Sequence, residues 1–235
     1  MELNPLDTEQ IAIQTLEKSL MKSTSSRSLK IGLPKEISND ERRVSLTPEG
    51  VSTLVANGHE VSIEKNAGID GHFSDNEYSE AGAEISYSAE ELFNQSELIV
   101  KVAPPTYNEQ EWMQPNQILV SALHLGHTKY EFLKTLIEKG VCAIGYEFIK
   151  GQDGEFPIVR MMHEITGSMA VQIATHYLEN RSDGQGIMLG GISGVPPATV
   201  VILGAGITGE YAARTALGYG AQVFVMDNNL AELRR

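Results

Sequence analysis

The chain of 235 residues is poor in three things. It has a single cysteine, Cys142, so no internal disulfide and no cysteine-rich metal site can form, which suits a reducing cytosol. Cys142 sits in an apolar, strand-like run and reads as a buried structural thiol. Basic residues are scarce: 18 Lys and Arg stand against 31 Asp and Glu, a formal net charge of −13. That balance argues against nucleic acid or an anionic membrane surface as a partner. No apolar run is long enough to span a bilayer, and the amino terminus lacks a charged-then-apolar signal pattern. A cytoplasmic protein is expected.

What is present is a regular alternation of strand-like and helix-like segments. Residues 1–28 read as an extension, with helical spacing over 8–22 and a Ser-rich linker after it. From Leu29 short apolar runs recur at 29–33, 60–64, 84–87, 98–102, 118–123 and 141–148. Helical patterns lie between them, opened by Thr47-Pro48, by Asp75, by Ser88 and by Lys129. Such alternation implies α/β architecture, with a mainly parallel sheet covered on both faces. A long helix is expected over 159–178, its Met161, Met162 and Met169 read as core. The Gly-rich stretch 184–194 reads as a structural loop. The expected organisation is two doubly wound domains. The first, over 29–158, is a substrate domain of flavodoxin-like or Rossmann-like type. The second, 159–235, is the start of a truncated Rossmann domain.

The most informative stretch is Thr199-Val-Val-Ile-Leu-Gly-Ala-Gly-Ile-Thr-Gly209, followed by Val223-Phe-Val-Met-Asp227. A buried strand runs into Gly-x-Gly-x-x-Gly, then a helix, then a second strand with an acid at its carboxyl end. That order makes half of a dinucleotide-binding unit. Gly204 allows a tight turn, Gly206 leaves room for a pyrophosphate and Gly209 lets the helix pack close. The amides of Ala205, Ile207 and Thr208 belong to the same phosphate-binding elbow. Asp227 is placed to accept from a ribose 2′-hydroxyl and to repel a 2′-phosphate, which favours NAD over NADP. Two parallel strands do not bury both faces of a sheet, so the domain is expected to continue beyond Arg235.

From Leu29 on, the chain resembles the alanine dehydrogenase family, which includes the NAD-binding part of nicotinamide nucleotide transhydrogenase. The motifs are Ile31-Gly-Leu-Pro-Lys-Glu36, Arg43-Val-Ser-Leu-Thr-Pro48, Leu123-His-Leu125 and Leu189-Gly-Gly-Ile-Ser-Gly-Val-Pro-Pro197. On residues alone, Arg43 reads as a surface charge and His124 as a packed or solvent-facing histidine. The resemblance implies more: Arg43 as the substrate-carboxylate ligand, His124 as the catalytic histidine. It also implies NAD as cofactor, L-alanine and pyruvate as substrates, and a homo-oligomer; no metal is implied. Three departures stand out. The family's substrate-binding lysine falls at Ala103, with Lys101 on the same strand face. A family serine near the cofactor falls at His163. The catalytic aspartate falls beyond Arg235. Two other readings follow: a transhydrogenase-type subunit passing hydride to a partner, and a non-catalytic NAD-binding regulator.

Overall fold

The computed structural model describes residues 27–38 and 40–234, so the helix expected over 8–22 lies outside the described residues. Contacts divide the chain into two units between Gly145 and Tyr146, ahead of the expected change at 158/159.

The first unit alternates strand and helix: β1 (Lys30–Leu33), α1 (Pro48–Ala56), β2 (Glu60–Glu64), α2 (Asp75–Glu80), β3 (Glu84–Ser86), α3 (Ala89–Gln95), β4 (Leu98–Val100), α4 (Tyr107–Trp112), β5 (Ile118–Ser121), α5 (Tyr130–Glu138) and β6 (Cys142–Gly145). All strand pairs are parallel, in the order β3-β2-β1-β4-β5-β6. That is the Rossmann order rather than the flavodoxin one, and its switch point lies between β1 and β4.

Local chemistry sets the helix starts. Thr47 Oγ1 accepts from the Gly50 amide, with Pro48 in the first turn. Ser74 and Glu77 satisfy each other's orphan amides in a capping box. Ser88 Oγ accepts from the Glu91 amide. α4 was not expected from the sequence behind Pro104-Pro105. Its signal is Thr106-x-x-Glu109, where the Glu109 carboxylate accepts from both the amide and the hydroxyl of Thr106.

Period-two alternation then sorts side chains between two layers. Ile31 and Leu33 pack with Val51, Ile63 and Tyr78. Gly32 points the other way: a β-carbon there would lie 2.3 Å from Ser96 Oγ and 2.7 Å from a Leu92 methyl. On that other side Leu92, Phe93, Ile99, Leu119 and Phe132 form a second core. Burying each of the larger side chains contributes roughly 1.5–3 kcal/mol.

The second unit holds α6 (Pro157–Leu178), β7 (Thr199–Leu203), α7 (Ile207–Gly218), β8 (Gln222–Met226) and α8 (Leu230–Leu233). β7 and β8 pair in parallel, Val200 opposite Val223 and Ile202 opposite Val225. One face packs on Val171, Leu189, Ala212 and Ala216. α6 meets α7 closely at Gly167, where a β-carbon would lie 2.3 Å from Thr208 O. Residues 184–194 stay irregular, as expected, apart from a bridge between Ile192 and Val195.

Three expectations are corrected. The strand leading into the glycine elbow is not buried: Val201 and Leu203 of β7 are exposed, as are Phe224 and Met226 of β8, because only the opposite face of this pair packs on the unit's core. Cys142 is exposed, because it alternates with Val141 and Ala143, which face the second core, and so lies on the other face of the edge strand β6. The Met161–Met169 side of α6 is exposed as well, with Met161 and Met169 about half accessible. The helix instead buries Gly167 and Val171, since small residues are what let it approach α7.

Candidate functional site

In the second unit the expected elbow is assembled. The three glycines are there for three different reasons. Gly204 has φ +108°, a conformation that favours glycine, and its N–H donates to Met226 O at 2.7 Å. At Gly209 a β-carbon would lie 1.9 Å from Gly204 O, so the helix could not close on the strand. Gly206 has an ordinary backbone (φ −65°, ψ −175°), and a β-carbon there would meet nothing within 4 Å. The protein's own fold therefore makes no demand for glycine at 206, and the approach to its backbone is open.

Asp227 closes the elbow. Its Oδ2 accepts the Ala205 N–H at 2.6 Å and its Oδ1 the Asn229 N–H at 2.7 Å. Those amides, Ala205 first, hold the carboxyl below the usual carboxylate range, so it is ionised at neutral pH. A carboxylate has roughly four acceptor sites, so two such bonds leave capacity for a ribose hydroxyl. Gly204 and Gly206 to Gly209 line a cleft of about 550 Å³ together with α6 residues, His163 among them. The twelve-residue α7 begins there, its first amides and dipole favouring an anion. Space, amides and carboxylate thus fit an adenine dinucleotide.

In the first unit the loops following β1, β4 and β5, three adjacent strands, carry Arg43, Ala103 and His124 respectively. Arg43 is exposed and its Nε and Nη2 donate to the Glu41 carboxylate at 2.8 and 2.7 Å. That pairing lowers the Glu41 pKa, the hydrogen bond from Arg43 being the main cause. His124 is exposed at the end of the β5 exit, with φ +45°. Its carbonyl accepts the His127 N–H at 2.8 Å.

The switch point itself holds a feature that motif reading passed over. Lys101 is buried, 1% exposed, between two carboxylates: Nζ lies 2.6 Å from Glu109 Oε1 and 3.4 Å from Glu36 Oε2. Glu36 also accepts the amides of Val102 at 2.6 Å and Ala103 at 3.4 Å. The set ties the exit of β1 to the exit of β4 and to the first turn of α4. Burial pushes the Glu36 pKa up, and Lys101 offsets part of that rise. Lys101 is thus committed to two carboxylates and does not replace the lysine missing at Ala103. The signal was an acid after β1 and a lysine after β4, but no spacing rule pairs residues so far apart in sequence.

No helix among the described residues is long and apolar enough to cross a membrane.

Known proteins supply an independent comparison. The family described as "Alanine dehydrogenase/PNT, N-terminal domain" matches residues 32–166, and "Alanine dehydrogenase/PNT, C-terminal domain" matches 170–235. An alanine dehydrogenase of Methanococcus maripaludis is 44% identical over 203 residues, covering 86% of this chain and 54% of that protein. One from Mycolicibacterium smegmatis is 40% identical, covering 87% and 55%. The chain thus spans about half the length of these curated relatives. Among solved structures an L-alanine dehydrogenase superposes with TM-score 0.83 at 42% identity, covering 88% of this chain and 56% of that one. A transhydrogenase from Sinorhizobium meliloti shares the fold, with TM-score 0.75 at 24% identity, covering 86% and 57%. With both of its units matched in order, the chain belongs to the alanine dehydrogenase/PNT family.

Proposed function

We propose that the protein acts as an NAD-dependent alanine dehydrogenase, interconverting L-alanine with pyruvate and ammonia, as a cytoplasmic homo-oligomer. The observation that carries the cofactor reading is the open approach to Gly206 beside an ionised Asp227. A negative charge there opposes a 2′-phosphate and so selects NAD over NADP. The relatives named alanine dehydrogenase supply the substrate.

Each residue has a chemical task under this reading. The amides at the start of α7 would hold the phosphates of NAD and Asp227 its adenosine ribose, and the bound cofactor would supply the acceptor for a hydride from the substrate α-carbon. The Arg43 guanidinium binds the substrate carboxylate in a two-pronged grip, exchanging part of its pairing with Glu41. His124 takes a proton from the substrate ammonium and releases it to solvent. It then takes one from the water that adds at the α-carbon and returns it to the nitrogen, which leaves as ammonia while the hydroxyl proton goes to solvent.

The test is NADH formation by the intact protein with L-alanine. Turnover is expected, and His124→Gln is expected to lower kcat by ~10²–10⁴-fold, the usual contribution of a positioned acid–base group. Absence of turnover with a panel of amino acids would overturn the dehydrogenase reading. Ala103 and the committed Lys101 favour a second reading, a nucleotide-binding subunit that hands hydride to a partner. That reading expects NADH binding without use of L-alanine.

A further inference from the structure

The turn that carries His124 is held by a backbone bond, from the His127 N–H to His124 O at 2.8 Å, and by a side-chain hydroxyl. Leu123 is buried, so the chain is anchored up to that residue, whereas 124–127 are all exposed. His124 takes a left-handed backbone, where a β-carbon crowds the following carbonyl and glycine is the easier occupant. Among the described residues His72 is also a left-handed histidine, but it closes a short 3-10 helix and its amide returns to Ile69 O. No helix ends at His124. Besides the His127 amide, Thr128 braces it, its Oγ1 donating to Leu123 O and lying 3.1 Å from His124 O.

Those two carbonyls belong to the two peptide planes that meet at the His124 α-carbon. Peptide planes are rigid, so a hydroxyl against the first carbonyl and close to the second, with the His127 amide on the second, restrains φ and ψ and with them the direction of the His124 Cα–Cβ bond. A glycine at 124 would relieve the strain; with histidine there, the turn spends backbone strain to present that ring.

We propose that Thr128 is a positioning residue for His124, its hydroxyl setting the orientation of the turn that presents the imidazole. The inference rests on the catalytic reading of His124. Proton transfer requires that the ring meet the reacting atoms within a few tenths of an ångström.

The experiment compares Thr128→Val, Thr128→Ser, His124→Gln and the double variant His124→Gln/Thr128→Val in the intact protein. Thr128→Val keeps the shape of threonine and removes the donor. It is expected to lower kcat by about tenfold, while KM for L-alanine and NADH affinity stay within about twofold. Thr128→Ser is expected to restore the rate, and Thr128→Val to have no further effect in the His124→Gln background. A second readout needs no turnover: the imidazole C2–H resonance that disappears in His124→Gln is expected to shift or broaden in Thr128→Val but not in Thr128→Ser. A wild-type rate together with an unmoved resonance in Thr128→Val would overturn the inference. If the wild type forms no NADH from L-alanine, the dehydrogenase reading falls by itself, and the resonance alone decides whether Thr128 orients His124.

Discussion

Beyond β1 and β4 the first unit ties its loops together with charge: Lys101 is buried between Glu36 and Glu109, and Glu36 grips two amides. Beyond β7 the second unit uses almost no side chain at all, only three glycines, a helix start and Asp227. Both lie at the carboxyl edge of a parallel sheet, where doubly wound folds bind ligands. At the first edge the charged groups Lys101, Glu36 and Glu109 are committed to one another. The second is open: the Gly204 and Ala205 amides are used by Met226 O and Asp227, so the Ala205 amide expected at the phosphate is already committed, while the space beside Gly206 and the first amides of α7 are left for something else. A loop network fixes where substrate-facing residues stand, whereas a glycine elbow admits a ligand to the backbone.

This contrast can be broken from either side. The largest effect is expected in the first unit. Lys101→Met leaves two carboxylates buried without their cation, which should cost ~3–5 kcal/mol of stability in denaturant unfolding. Glu36→Gln/Lys101→Met/Glu109→Gln keeps an acceptor at both glutamate positions and removes the charges. It should recover most of that loss, and equal destabilisation of the two variants would show that charge is not what matters there.

In the second unit Gly209→Ala and Gly206→Ala should part company. At 209 the β-carbon collides with Gly204 O, an overpacking worth ~1–3 kcal/mol, so NADH affinity should fall by about ten- to a hundredfold and local stability with it. At 206 the β-carbon meets no protein atom, so the melting temperature should hold while NADH affinity still falls. If Gly206→Ala binds NADH as the wild type does, the open space is not where the phosphates go.

The same contrast explains what the sequence reveals. The elbow is local: strand, three glycines, helix and acid lie within 29 residues (199–227), and their spacing carries the geometry. The strands of the first unit are legible for the same reason, as β-branched runs such as Glu60–Glu64 between capped helices. The charged network is not legible. Glu36 and Lys101 are 65 positions apart and meet only because β1 and β4 become neighbours at the switch point. Exposure also escapes the pattern. Val201, Leu203, Phe224 and Met226 look like core from their apolar run, yet they line the outward side of β7 and β8. Methionines at helical spacing misled in the same way, because α6 packs through Gly167, a residue with no side chain to announce a contact. The left-handed turn at His124 is braced by the His127 amide and by a hydroxyl four residues downstream, which periodicity does not report.

The most direct measurement is a calorimetric titration of the intact protein with NADH and, in parallel, NADPH. Saturable NADH binding is expected, with NADPH weaker by tenfold or more, about 1.4 kcal/mol, because its 2′-phosphate meets the ionised Asp227. Absence of NADH binding, or equal affinity for the two, would contradict the assignment of the glycine elbow and Asp227 to an adenine dinucleotide.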